Sequence, residues 1–246
     1  MRVASLPVLL ALLAALAGCA TTGSQTPRSA ARDPLEPLNR AVFSFNDTVD
    51  RLLLEPAAKV YDEAVPELGK FMLRGFFGNI ADAWTAVNNL LQGKPREAAS
   101  DGARVAINST FGFFGVADVA SELGLEKHRE DFGQTLGRWG VPPGPYLVLP
   151  FFGPSTVRDG LGLWADVAAD RTEAVVGSDA VAAVNAVRII DARARLLRAG
   201  QLMESIALDP YLFVRNGYLQ RRRSLVYDGD PPPEDPADGP AGAGPR

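Results

Sequence analysis

Cysteine and histidine are almost missing from this chain of 246 residues: it has one Cys (Cys19) and one His (His128). An intramolecular disulfide is impossible, and a His/Cys metal cage is nearly so. A Ser/His/Asp triad would have to use His128, and no G-x-S-x-G elbow occurs to present a nucleophile. A basic excess is missing as well. Lys+Arg is 25 against Asp+Glu 29, a formal net charge of −4, which argues against nucleic-acid binding. Beyond the N-terminal segment no stretch approaches about 18 uncharged apolar residues, so no spanning helix is expected. No repeat recurs at a fixed period. What is present is an ordinary folded composition, 47% hydrophobic and 22% charged, on a length that suits one large domain or two small ones.

The remaining catalytic patterns are weak. Gly160-x-Gly162-x-x-Ala165 matches a dinucleotide fingerprint, but a cap-like Thr156 precedes it rather than a strand, so helix packing is the reading. Gly93-Lys94-Pro95 lacks the Ser/Thr and the upstream Gly of a phosphate loop. His128 lies in the charge-dense run Glu126-Lys127-His128-Arg129-Glu130-Asp131 and reads as a solvated loop residue. Carboxylate pairs such as Glu130/Asp131 suit glycoside hydrolysis on paper, yet any chain with 29 acids contains such pairs. No catalytic residue, cofactor or metal site is assigned, and a periplasmic hydrolase ranks last among the readings.

The N-terminus is more specific. Arg2 is the only charge in residues 1–18, and an apolar run over 3–17 is interrupted only by Ser5 and Pro7. This has the layout of a secretory signal and is too short to span a membrane. Leu16-Ala17-Gly18-Cys19 resembles the bacterial lipobox, in which the Cys thiol is diacylated and cleavage leaves Cys19 first. A plain signal peptide with an incidental Cys is the alternative. Two or more acyl chains give stable anchoring. Residues 19–32 are small and polar and read as a lipidated flexible tether. Residues 228–246, rich in Pro, Gly and acids, cannot bury a core and read as a disordered tail. The folded part is then 33–227.

That part reads as all-helical. Asp33-Pro34 with Glu36 forms a cap-plus-proline start. Leu38, Val42, Phe45, Val49 and Leu52 recur on one helical face, and Pro56 ends or bends that helix. Phe77, Ile80, Trp84, Val87 and Leu91 repeat the pattern in a helix over 71–91, stopped by Gly93 and Pro95. Thr156-x-x-Asp159 opens a helix through Trp164. Val184, Val187, Ile190, Ala194 and Leu197 form a stripe ending near Gly200. Asp209-Pro210 caps another helix, with Tyr211, Val214 and Tyr218 on one face. Residues 146–152 read as an ordered loop with at most a short extended piece. Phe111-Gly112-Phe113-Phe114-Gly115 and Phe76-Phe77-Gly78 suit either a lipid groove or close helix packing. Arg221-Arg222-Arg223 reads as a solvated helix end or as a contact for anionic headgroups or an acidic partner.

Several segments together resemble the MlaA (VacJ) family of outer-membrane lipoproteins. They run from Asp33-Pro34-Leu35-Glu36 and Leu38-Asn39-Arg40 through Phe43-Ser44-Phe45-Asn46, Gly78-Asn79-Ile80 and Asn108-Ser109-Thr110. They continue with Asp131-Phe132-Gly133-Gln134-Thr135-Leu136-Gly137 and Trp139-Gly140-Val141-Pro142-Pro143-Gly144-Pro145-Tyr146. Leu149-Pro150-Phe151-Phe152-Gly153, Arg158-Asp159 and Asp209-Pro210-Tyr211 complete the match. The resemblance implies a ring of amphipathic helices around a central amphipathic channel, lying in the inner leaflet of the outer membrane. Ala20 is not the Asp that retains lipoproteins at the inner membrane, which implies the same destination. The implied activity is removal of mislocalised phospholipids from the outer leaflet and their transfer to a periplasmic phospholipid-binding carrier, with a trimeric porin as a partner. A structural porin-binding lipoprotein without lipid transfer is the alternative. By the same resemblance Gly140, Pro142, Pro143, Gly144 and Tyr146 belong to a channel loop that acts as a hinge. The two glycines can pivot, whereas the proline pair fixes φ twice. Asn39, Arg40, Asn46, Asn79 and Asn108 match polar positions of the family, where bonding of backbone groups between helices is the plainest role. Arg158 and Asp159 are expected to form an internal ion pair that sets a loop.

Overall fold

The computed structural model describes residues 33–233. The signal, Cys19, the tether and all but the start of the tail lie outside the described residues. The chain runs α1 (Glu36–Val49), a π-helical turn (Asp50–Leu54), α2 (Glu55–Ala64), α3 (Glu67–Leu91), α4 (Pro95–Thr110), α5 (Val119–Glu122) and α6 (Phe132–Arg138). It continues with β1 (Tyr146–Leu149), β2 (Gly153–Thr156), α7 (Val157–Ala169), α8 (Thr172–Val176), α9 (Val181–Ala194), α10 (Leu197–Ile206) and α11 (Pro210–Val226).

Local chemistry sets most boundaries. Thr156 accepts from the Asp159 amide at 3.2 Å and Asp209 from the Leu212 amide at 3.1 Å, each capping its helix. Gly93 takes φ +77° beyond the end of α3. Pro56 does not end its helix. It has no amide hydrogen to donate, and just before it one wider turn forms, in which the Glu55 amide reaches Asp50 O. The stripe expected to stop near Gly200 breaks earlier, at Arg195–Leu196, and α10 then runs through Gly200. The extended piece within 146–152 is β1, which pairs with β2 in an antiparallel hairpin, Tyr146 opposite Thr156 and Leu149 opposite Gly153, and residues 150–152 form its turn. Strands of four residues among prolines carry too little alternation to announce themselves.

The packing closes on itself. The π turn links α1 to α2, α2 packs on α9, α9 on α3, α3 on α6, α6 on α7, and α7 returns through the hairpin to α1. This is a ring of helices. α4 lies along α3, and α11 leans on α6 and β2. The α6–α7 crossing is close because two glycines face each other. A side-chain carbon on Gly162 would lie 2.4 Å from the Gly133 nitrogen.

Burial in the ring is inverted. Among the described residues nine hydrophobic side chains are buried against twenty-one polar or charged ones, while thirty-three large hydrophobics are exposed. The predicted apolar stripes divide: Leu38, Phe45, Leu52, Val87 and Leu91 are exposed, whereas Phe77 is buried and Val42 joins a small core with Tyr146, Val148 and Tyr211. Elsewhere the helices meet through polar seams. On α3, Asp82, Thr85, Asn89 and Gln92 recur at spacings of 3, 4 and 3 and are buried; on α4, Asp101, Arg104 and Asn108 answer at 3 and 4. Arg104 has no solvent exposure. It reaches Asp118 twice at 2.9 Å, Ser121 Oγ at 3.1 Å, Leu125 O at 2.6 Å and Asp82 at 3.3 Å. Lys127 closes the group on Asp82 at 2.6 and 2.9 Å. Asn89 donates to Asp101 at 2.8 Å. His128 Nδ1 sits 3.0 Å from the same carboxylate, so His128 pins its loop to α4 rather than standing free in solvent. A charge this deeply buried is tolerated only with every donor engaged.

Asp118 makes this seam sensitive to acid. Burial disfavours its ionised form, but hydrogen bonds from Ser121, Asn108 and Arg104 outweigh burial and lower its pKa to about 2. A carboxylate with a depressed folded pKa stabilises the fold fully above its unfolded value, about 3.9, and that stability is lost as pH falls through the folded value. Thermal melts followed by circular dichroism should show a falling midpoint between about pH 4 and pH 2 that is shallower in Asp118→Asn. An identical pH profile in the variant would contradict the assignment.

Candidate functional site

Two asparagines on α1 hold the hairpin. Asn39 Nδ2 donates to Tyr146 O at 3.0 Å, and its Oδ1 accepts from the Val148 amide at 2.9 Å. Asn46 Nδ2 donates to Leu149 O at 3.0 Å, and its Oδ1 accepts from the Phe151 amide at 2.8 Å. A side-chain amide has the donor–acceptor layout of a peptide group. Each Asn therefore supplies the partner that another strand would give to the outer edge of β1. The spacing fits: seven helical residues rise about 10.5 Å, and three strand residues span about 10 Å.

The same end of α1 is tied to α11. Asp33 is fully buried and accepts from Asn39 at 2.9 Å, from the Tyr211 hydroxyl, and from Arg215 at 3.4 Å. It does not cap α1, whose N-cap is Leu35 without a side-chain bond. The interior cation and phenol outcompete the local cap because Asp33 satisfies three buried groups at once. Arg40 bonds Glu36 at 2.8 Å and Asp209 at 2.8 and 3.3 Å, and its guanidinium stacks 4.4 Å from the Tyr211 ring. Burial, together with Asp33, raises the Tyr146 pKa to about 12. Its hydroxyl is buried without a partner.

The segment between α6 and β1 is exposed but tethered. Gly140 and Gly144 take φ +88° and +68°, which other residues resist. Pro143 O accepts from the Arg158 amide at 3.1 Å and Pro145 O from the Val157 amide at 3.2 Å. Arg158 Nη1 reaches Val141 O at 3.5 Å while Nε bonds Asp159 at 2.9 Å. Pro142 carries the loop between these ties and is solvent-exposed. Asp159 also accepts from the Tyr218 hydroxyl at 2.8 Å and lies 3.1 Å from Arg222. Arg222 grips Asp131 with two contacts at 2.5 Å. The central arginine of the 221–223 run therefore faces inward, and the run is not one uniform basic face.

The other two asparagines stand apart, on the α3–α4 pair. Asn108 donates to Asp118 at 2.9 Å and accepts from the Ala120 amide at 2.8 Å. Asn79 donates to Ser109 Oγ at 2.9 Å, and its own oxygen is buried without a partner. Beside it opens a cleft of about 440 Å³ between α3, α4 and the α7–α8 corner. Its walls include Phe76, Ile80, Trp84 and Val87, its polar points Asn79, Ser109 and Arg171. Exposed aromatics mark the tips of two turns. Phe113 and Phe114 take φ +51° and +58°, and Phe151 takes +66°; all three are more than 70% exposed. Left-handed backbone at bulky residues costs of order 1–3 kcal/mol each, borne here while the rings project outward.

Asp82 and Arg104 are not among the candidate residues of the sequence, where Asp33 reads as a helix cap and Arg222 as part of a solvated helix end or a contact for anionic headgroups or an acidic partner. The polar periodicity of α3 and α4 was the available signal for the first two. Among the described residues no group of three or more His, Cys, Asp or Glu side chains is placed to hold a metal ion, and no helix is long and apolar enough to cross a membrane.

Polar seams between the helices, many large apolar side chains left exposed and a ring of helices with one small hairpin define a mainly helical protein. Within that class the chain belongs to the MlaA lipoprotein family, whose model matches residues 31–225. It is 36% identical over 229 residues to the Haemophilus influenzae intermembrane phospholipid transport system lipoprotein MlaA, covering 90% of this chain and 91% of that one. The Escherichia coli protein of the same name is 33% identical over 224 residues, covering 89% and 88%. A solved structure from work on the structural basis for maintenance of bacterial outer membrane lipid asymmetry superposes with a TM-score of 0.70 at 33% identity. It covers 79% of this chain and 98% of its own.

Asn39→Ala should leave Tyr146 O, the Val148 amide and one Asp33 oxygen without partners. The expected cost is about 1–3 kcal/mol, read from urea unfolding, together with faster amide exchange at Val148. Unchanged stability and exchange would contradict the role of Asn39 as an edge partner.

Proposed function

We propose that this protein is a lipoprotein anchored through Cys19, whose helical ring lies in the periplasmic leaflet of the outer membrane. It removes mislocalised phospholipids from the outer leaflet through an amphipathic channel and hands them to a soluble periplasmic carrier for return to the inner membrane. A trimeric porin holds it in place. The observation that carries this reading is the inverted burial. The exposed large hydrophobics, thirty-three among the described residues, would face acyl chains, while the backbone is satisfied inside helices and the hairpin edge by Asn39 and Asn46. No bond in the lipid is made or broken. The polar groups lower the cost of desolvating a headgroup and the apolar ones hold its tails. Movement of the hairpin about Gly140 and Gly144 admits or blocks the lipid, and Pro142, Pro143 and the Arg158 ties limit its range.

The test is covalent labelling of outer-leaflet phospholipid in a strain lacking the gene. Surface phospholipid should rise and fall back on complementation with the wild-type gene. No rise would contradict lipid removal and leave a porin-binding scaffold as the reading.

A further inference from the structure

From the cleft beside α3 we infer a phospholipid-binding subsite in which Arg171 takes the phosphate and Asn79 selects headgroups that donate hydrogen bonds. This deepens the proposed function and rests on it. The apolar wall of α3 presents Phe76, Ile80, Ala83, Trp84 and Val87 to a space of about 440 Å³, a volume typical of ligand sites. Those positions recur with helical spacing, so they form one continuous greasy track of the kind an acyl chain covers. At the α7–α8 corner, Asp170 turns away from the cleft. It caps the Thr172 amide at 2.8 Å and binds Arg188 at 2.7 Å. Arg171 is thereby left exposed at the mouth, with no side-chain partner among the described residues. An arginine at the edge of an apolar cleft matches a phosphate, which it binds through paired N–H donors.

The second observation is independent. Asn79 is 7% exposed and lines the cleft, its nitrogen is engaged by Ser109, and its oxygen has no donor. A buried acceptor without a donor costs free energy until one arrives. A fatty-acid carboxylate supplies no donor and leaves that oxygen unmet. A phospholipid whose headgroup carries an ammonium or a hydroxyl supplies both the anion for Arg171 and the donor for Asn79. A phosphatidylcholine supplies only the anion. Phe114, on its exposed turn, forms one wall of the cleft near Asn79.

The experiment uses the full acylated lipoprotein in detergent, equilibrated with equal amounts of phosphatidylethanolamine, phosphatidylglycerol and phosphatidylcholine, with bound lipid counted by native mass spectrometry. Wild type should retain one phospholipid and favour the donor-bearing headgroups over phosphatidylcholine by about tenfold. Preference for phosphatidylethanolamine alone would identify an ammonium as the donor; equal retention of phosphatidylglycerol would identify the shared donor chemistry. Arg171→Gln should weaken all three by about tenfold, Asn79→Leu should erase the preference, and Ala83→Trp should empty the cleft. Arg171 is on the surface, so its variant carries the test if Asn79→Leu fails to fold. Retained lipid that is indifferent to Arg171→Gln and Ala83→Trp would overturn this subsite while leaving the transport function standing. A wild type that retains no phospholipid would overturn both.

Discussion

Hydrogen-bonded charge between helices is the constraint on which this architecture depends. A water-soluble bundle buries its apolar stripes and lets charges face out. Here much of the stripes of α1 and α3 is exposed and the apolar cluster around Val42, Tyr146, Val148 and Tyr211 is small, so another attraction must hold the ring together. It comes from groups such as Arg104 with Asp82 and Asp118, Asp191 with Arg74 and Tyr61, and Arg193 with Asp50. In water such pairs contribute little, because exposed ions lose as much hydration as they gain in contact. Between helices, where Arg104, Asp82 and Asp191 are buried, they are directional and costly to break. The seams thus fix the geometry, and many large hydrophobic side chains are left on the outside.

The hairpin follows from the same logic. An edge strand in apolar surroundings would strand its amides and carbonyls. Asn39 and Asn46 remove that problem on one side of β1, and β2 does so on the other. The connection back to α6 is fixed less tightly: Gly140 and Gly144 carry the turns, and a few bonds from the first turn of α7 restrain it. The strand is thus clamped on both sides, while the approach to it is only lightly tied.

Much of the helical layout was legible because it is local. Thr156 and Asp209 cap as their sequence positions suggest, and Gly93 with Pro95 ends α3. Asp33 misled because its cap-like neighbourhood is a short-range signal, whereas Tyr211 and Arg215 lie about 180 residues away and no local pattern points to them. The hairpin was hidden for the same reason: its stability comes from side chains of α1. His128 and Arg222 looked solvated because they lie in charged runs, yet each finds a buried carboxylate on a distant element. The polar rows at Asp82, Thr85, Asn89 and Gln92 were visible as periodicity. Reading them as the buried face requires knowing that α3 and α4 pair through these polar rows. Of the candidate site, the roles of Asn39, Asn46 and Asn108 as backbone partners follow from side-chain chemistry, whereas the orphaned oxygen of Asn79 emerges only in three dimensions.

The most direct measurement of the inverted design is the environment of Trp164, which is 77% exposed. In the full lipoprotein with Trp84→Phe and Trp139→Phe, reconstituted into bilayers, Trp164 fluorescence should be quenched strongly by lipids brominated along their acyl chains and weakly by aqueous iodide. Strong quenching by iodide with indifference to the brominated lipids would place that apolar flank in water and contradict the account.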